Sequence, residues 1–176
     1  MGGGRLRVDD DELARAAAGG DAAAFTGLVE RYEHSVRNML GRLAGQASGD
    51  DLAQDAFLRA WRSAASYRGG NRYRAWLFRI AWRVYLDSRA TSRGVPYEPE
   101  VHGAHFVPDP ALAMDLERAF AGLQDRERAA AILCFGEGLS HSEAASALDM
   151  PLGSLKSTVA RARVKLLGYL KAEDDG

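Results

Sequence analysis

"LSHSEAASALDMPLGSLKSTVARARVKLL", residues 139–167, reads as two short amphipathic segments joined by a turn. Ser140 and Glu143 stand at capping-box spacing, which starts the first segment as a helix. Ala144 and Ala145 are small enough to let a second helix cross closely. "LDMP" supplies the turn, and Pro151 sits just ahead of the next helix, where a missing N–H costs little. On that second helix Leu155, Val159, Ala162, Leu166 and Leu170 fall within roughly 80° of arc, so this stripe faces a core. Ser157, Ala160, Arg161 and Val164 point the other way, with Lys156 at the flank. From Lys156 to Lys171 there are five cations and no acid. A helix with small polar and basic groups outside can enter a major groove, its N-terminal turns nearest the bases. The pattern predicts a helix-turn-helix; the competing reading is a solvated basic face on a terminal helix.

The rest of the chain must supply a scaffold for this unit. Its 176 residues are 47% hydrophobic, long enough for one domain or two small ones. No run approaches the roughly 18 apolar residues of a membrane span, and "MGGGRLRVDDDE" lacks the apolar core of a signal peptide. A cytoplasmic protein without membrane insertion is expected. The single cysteine, Cys134, leaves no internal disulfide and fits a reducing compartment; within "AAAILCF" it reads as a small buried hydrophobe.

Net charge −1 conceals a pattern, because residues 59–93 carry nine arginines against Asp87 alone. Local field, not total charge, governs attraction to a polyanion, so this block and the terminal helix are two candidate contact surfaces.

Almost every segment reads as helix, and the expected fold is all-α, in two small helical domains joined by a flexible linker. "DELARAAAGG" is a short alanine-rich helix ended by a glycine pair. Asp21 can cap a longer one carrying Phe25, Leu28, Val29, Tyr32, Val36, Met39, Leu40 and Leu43 at helical steps. In "ASGDDLAQDAFLRAWRSAASY" Ser48 and Asp51 have capping-box spacing, and Phe57 and Trp61, with Ala53 and Ala64, define a buried face. "GGN" then breaks the chain before "RYRAWLFRIAWRVYLDSRA". Residues 94–110 hold four of the five prolines and no helical period, which reads as a linker between domains at 1–93 and 111–176. His102 and His105 in that linker have no Cys or acid cluster at ligand spacing, so no metal or other cofactor is expected.

In the fourth helical segment Arg72, Trp76, Arg79 and Arg83 form one stripe, with Tyr73, Leu77, Ile80, Ala81 and Val84 on a separate apolar face. Tyr67, Arg68 and Asn71 stand in the loop beside it. Cations interleaved with aromatics suit a nucleic acid with unstacked bases, although Trp76 fits a core position equally well. Nine cations with one acid repel each other unless something anionic is near. In the preceding segment Asp51, Asp55, Leu58 and Arg62 make a mixed acidic and apolar stripe, which would repel DNA and suits a protein partner.

"DDLAQDAFLRAW", "YRGGNRYRAWLFRIA" and "LQDRERAAAILCFGEGLSHSEAASALDMPLGSLKSTVARAR", taken in order, resemble the bacterial extracytoplasmic-function sigma factors, sigma-70-type initiation factors reduced to regions 2 and 4. The resemblance spans about residues 21–92 and 112–170. It implies a non-catalytic specificity subunit that binds core RNA polymerase at the β′ clamp helices and the β flap, and promoter DNA. Asp51, Leu52, Gln54, Asp55 and Leu58 match the clamp-docking segment. Tyr67, Arg68, Asn71, Arg72, Trp76, Arg79 and Arg83 match the part that melts the −10 element and holds a flipped base. Ser154, Lys156, Ser157, Ala160 and Arg161 match the −35 reader. An anti-sigma factor is a further partner the resemblance implies.

Some positions depart from the family pattern. Trp82 and Arg83 replace a common Arg-Asn, implying an altered −10 preference. Thr158 and Ala160 remove a cation and a larger ring, implying weaker −35 readout. Asp149 stands where a turn glycine is frequent, and Asp tolerates the left-handed conformation that such a turn needs. A stand-alone helix-turn-helix regulator leaves the "DLAQDAFL" and arginine stripes unexplained. A nucleic-acid enzyme would need a phosphate loop or a paired-carboxylate constellation, and neither is apparent.

Overall fold

A computed structural model describes residues 9–91 and 118–174; the linker expected at 94–110, with His102 and His105, lies outside them. Among the described residues all regular structure is helical. The helices are α1 (Asp10–Ala18), α2 (Ala22–Ala44), α3 (Gln46–Arg62), α4 (Tyr73–Thr91), α5 (Asp125–Ala131), α6 (His141–Ala147) and α7 (Leu152–Asp174). A 3₁₀ turn at Ala64–Ser66 follows α3, and a π-helical segment at Ile132–Gly136 follows α5.

Asp21 caps α2 as its sequence promises, accepting from the N–H groups of Ala23 at 2.9 Å and Ala24 at 3.1 Å. Leu28, Tyr32, Val36, Met39, Leu40 and Leu43 then form its buried stripe. The α2–α3 corner departs from expectation. Gly45, at φ 85°, ends α2 and restarts the helix at once, so Ser48 and Asp51 lie inside α3 and cap nothing. The two helices meet glycine against glycine: a Cβ on Gly49 would stand 2.5 Å from the Gly41 Cα. That closeness also corrects the buried face of α3. Its buried residues are Gly49, Ala53, Ala56 and Ala60, whereas Phe57 and Trp61 are only half-buried. Phe57 and Trp61 line a groove instead.

The second set of helices begins at a short turn, 118–121, held by Arg128. This buried guanidinium donates to the carbonyls of Phe120 (2.9 Å), Ala121 (3.2 Å) and Leu123 (3.1 Å), satisfying the carbonyl oxygens that a helical turn leaves open. Cys134 is half-buried in the π-helical segment, where burial pushes its thiol pKa up.

The two sets of helices share one apolar cluster. Leu77, Phe78, Ala81, Trp82 and Val84 of α4 belong to the same core as Leu133, Leu139, Ala144, Leu148 and Leu155. Trp82 is 1% exposed and stacks on Tyr85 at 5.4 Å, so its large ring serves this core. An altered −10 preference does not follow from Trp82.

Candidate nucleic-acid and protein interfaces

The helix-turn-helix forms from the signals its sequence carries. Ser140 Oγ accepts from the Glu143 N–H (3.2 Å) while Glu143 Oε2 accepts from the Ser140 N–H (2.8 Å), closing the capping box. The Ser140 hydroxyl and N–H together hold the Glu143 carboxyl below its usual range. Asp149 takes the left-handed turn conformation at φ 52°. Leu155, Val159 and Ala162 are buried and Leu166 half-buried, while the side chain of Leu170 lies outside the described residues. Ser154, Lys156, Ser157, Ala160 and Arg161 are all exposed on α7. Thr158 is not on that face. It is 4% exposed, donates to the Ser154 carbonyl at 2.8 Å and accepts from Arg161 at 3.2 Å, so it offers no group of its own to the outer face.

Behind the outer face stands Glu127 of α5, whose side chain is 5% exposed. Lys165 Nζ reaches it at 2.6 Å and Arg161 Nε at 3.6 Å. The Lys165 contact, first, holds the Glu127 carboxyl below its ordinary range against the cost of burial. Arg161 is thus oriented by both Glu127 and Thr158.

The arginine block has anions near it after all, and most come from the other set of helices. Arg79 meets Asp149 at 2.8 Å and Arg83 meets it at 3.6 Å; Arg74 stands 3.9 Å from Glu137 and Arg89 3.4 Å from Asp125. Arg59 is gripped by Asp55 (2.9 Å) and Asp87 (2.5 Å). The row is not sealed, since the Arg79 and Arg83 side chains remain 39% and 58% exposed. Arg68, Asn71 and Arg72 are exposed on the preceding loop. Tyr67 and Trp76 are half-buried, their rings 5.6 Å apart, and Tyr67 packs edge-on against Tyr73 at 5.5 Å. Trp76 is therefore part of an aromatic cluster, and Tyr67 is not a free stacking platform.

On the far side of α3 lies a groove of about 500 Å³, lined by Phe25 and Val29 of α2 and by Phe57, Leu58 and Trp61 of α3. Leu58 is 54% exposed on its rim. Gln54 also lines it, Asp51 is exposed one turn earlier, and Leu52 and Asp55 are half-buried. An apolar floor edged by Gln54, Glu33 and Arg37 suits an amphipathic helix. Of the five α3 residues the sequence offers for docking, Gln54 and Leu58 line this groove; Phe57 and Trp61, expected on a buried face, line it too, as do Phe25 and Val29 of α2. Their helical spacing is the same whether they face a core or a groove.

The arrangement defines a helix-turn-helix protein with a basic outer helix, a second arginine-lined helix and an apolar groove between α2 and α3. Family models for sigma-70 region 2 and for sigma-70 region 4 match residues 28–94 and 113–166. The chain belongs to the sigma-70 family, among its extracytoplasmic-function members. It is 35% identical to the ECF RNA polymerase sigma factor SigM of Mycobacterium tuberculosis, over 96% of this chain and 89% of that one. To SigE of Mycolicibacterium smegmatis it is 32% identical over 87% of its length, spanning 65% of that relative. A solved sigma factor, RpoE of Bartonella quintana in complex with the anti-sigma factor NepR, matches with a TM-score of 0.73. Sequence identity there is 29%, and the match covers 84% of this chain and 96% of that one. No described helix is long and apolar enough to cross a membrane.

Proposed function

We propose that this chain is a non-catalytic, cytoplasmic specificity subunit that carries core RNA polymerase to promoters. Domains at 1–93 and 111–176 divide the work. The outer face of α7 reads the −35 element through Ser154, Lys156, Ser157, Ala160 and Arg161. The loop at 67–72, with Arg79 and Arg83, receives the melted −10 strand. Asp51, Leu52, Gln54, Asp55 and Leu58 of α3, of which Gln54 and Leu58 line the groove, dock on the β′ clamp helices. The helix-turn-helix unit takes the β flap. Two weak sites on one chain gain effective concentration once either is engaged.

The observation that carries this reading is the exposure of all five α7 residues opposite a buried Leu155, Val159 and Ala162. The ion pairs from Asp149 and Glu137 to α4 fit the same reading. Both modules cannot reach separate promoter elements until those contacts part, and the Bartonella quintana relative was solved with an anti-sigma factor bound. An anti-sigma factor stabilising the joined arrangement is accordingly part of the proposal. Transcription in vitro with purified core polymerase tests the whole: added protein should yield transcripts from discrete start sites on genomic templates. Start sites identical to those of core alone would refute the reading.

A further inference from the structure

The helix α1 precedes the stretch matched by the region 2 model, yet it sends a carboxylate into the loop that the proposed function assigns to the −10 strand. Asp11 is 6% exposed. One of its oxygens accepts from the Tyr67 hydroxyl, and the other accepts from the N–H groups of Gly70 at 2.8 Å and Asn71 at 3.0 Å. The Tyr67 oxygen in turn accepts from the Arg72 N–H at 3.1 Å. One buried anion thus ties both ends of the loop 67–72 together.

The loop needs such a tie. Gly69, Gly70 and Asn71 are consecutive left-handed residues, at φ 75°, 83° and 58°. Asn71 bears that conformation better than most residues with a Cβ, but a run of three such residues is rare without surroundings that fix it. Successive N–H groups in a turn converge to make an anion site. Here the chain supplies its own anion, and the Tyr67 and backbone donors hold the Asp11 carboxyl below its usual range. The same contacts fix the Tyr67 ring against Tyr73 and Trp76, leaving Arg68, Asn71 and Arg72 as the groups the loop offers to solvent.

We infer that Asp11 is a positioning residue for capture of the unstacked −10 strand, which makes α1 a working part of that module. It touches no DNA. It sets the shape in which Asn71 and its neighbours meet a base. The inference rests on the assignment of loop 67–72 to the −10 strand, and the test separates the two.

Holoenzyme would be formed with wild-type chain, Asp11→Ala, Tyr67→Phe, the double variant, and Asn71→Ala. The probe is a fluorescent single-stranded oligonucleotide carrying the non-template −10 sequence of a promoter found by in vitro transcription, together with its single-base variants. Asp11→Ala and Tyr67→Phe should each lower affinity about tenfold, the range for a lost hydrogen bond to a charged group. Both should flatten the preference at one base position. The double variant should lose no more than Asp11→Ala alone, while affinity for core polymerase stays unchanged. Loss with Asn71→Ala but wild-type affinity and base preference in Asp11→Ala and Tyr67→Phe would overturn the role of Asp11 and leave the loop assignment standing. No loss in any variant would overturn the loop assignment itself. Tyr67→Phe keeps the ring and its packing, so a folding defect in Asp11→Ala does not hide the answer.

Discussion

Asp149, in a left-handed turn just before α7, places its carboxylate 2.8 Å from Arg79 and 3.6 Å from Arg83, which stand about one turn apart on α4. The residue that makes this turn thus also holds two arginines of the row proposed to meet the −10 strand. If the proposed −10 role holds, DNA and Asp149 compete for one pair of guanidinium groups.

Asp149→Asn tests that competition. Asn tolerates the left-handed conformation, so the turn survives. The pair is largely exposed, so stability should change by less than about 1 kcal/mol. Non-specific DNA binding by the free protein should strengthen at low salt, and the dependence of log K on log salt should steepen by about 1 to 2 phosphate contacts. Titration of a fluorescent duplex across a salt series measures both. An unchanged slope would mean that Arg79 and Arg83 do not reach phosphate.

Leu58 offers the cleanest probe of the groove, since it is 54% exposed on the rim and serves no buried packing. Asp55 is less clean because it also holds Arg59. Leu58→Glu should leave the melting temperature within a degree or two and weaken core polymerase binding by about 1–3 kcal/mol, the range of an apolar anchor. Competition against the wild-type chain for core polymerase reads this directly.

The parts of the fold visible in sequence were those with local causes. Asp21 and the Ser140–Glu143 pair cap helices through atoms two or three residues away, and the α7 stripe needs only a helical period. The failures had non-local causes. Ser48 and Asp51 mimic a cap, but the Gly41–Gly49 contact fixes the corner three residues earlier. Trp82 belongs to the core only because that cluster draws in Leu133, Leu139, Ala144 and Leu148 from far along the chain. The arginine block looked uncompensated because Asp125, Glu137 and Asp149 approach it only through the tertiary fold. Asp11 stands in the acidic run Asp9–Glu12, with no periodicity to mark it as the buried member.

Gly49→Ala should separate structural from functional loss. The added methyl would stand 2.5 Å from the Gly41 Cα and N, both backbone atoms that cannot turn aside. Forcing α2 and α3 apart should destabilise by about 1–3 kcal/mol, seen as a lower denaturant midpoint. The groove lies between the same two helices, so core affinity should fall in proportion to unfolding and recover at low temperature. Undiminished stability would mean that the corner can open freely.

Glu127 ties the −35 proposal to acid stability. Its carboxyl pKa is depressed chiefly by Lys165, so its contribution is present above the ordinary glutamate range and lost as pH falls through the depressed value. Glu127→Gln removes that dependence, leaving less difference in denaturant stability between pH 7 and about pH 3 than wild type shows. The variant also frees Arg161 from its 3.6 Å partner. Arg161→Ala should cost about 1–3 kcal/mol on the upstream element and much less on scrambled DNA. If Glu127 orients Arg161 for a base, Glu127→Gln should narrow that difference between matched and scrambled sites. Were Arg161 a phosphate contact, both variants would shift matched and scrambled DNA alike, and competition binding at fixed salt distinguishes the two outcomes.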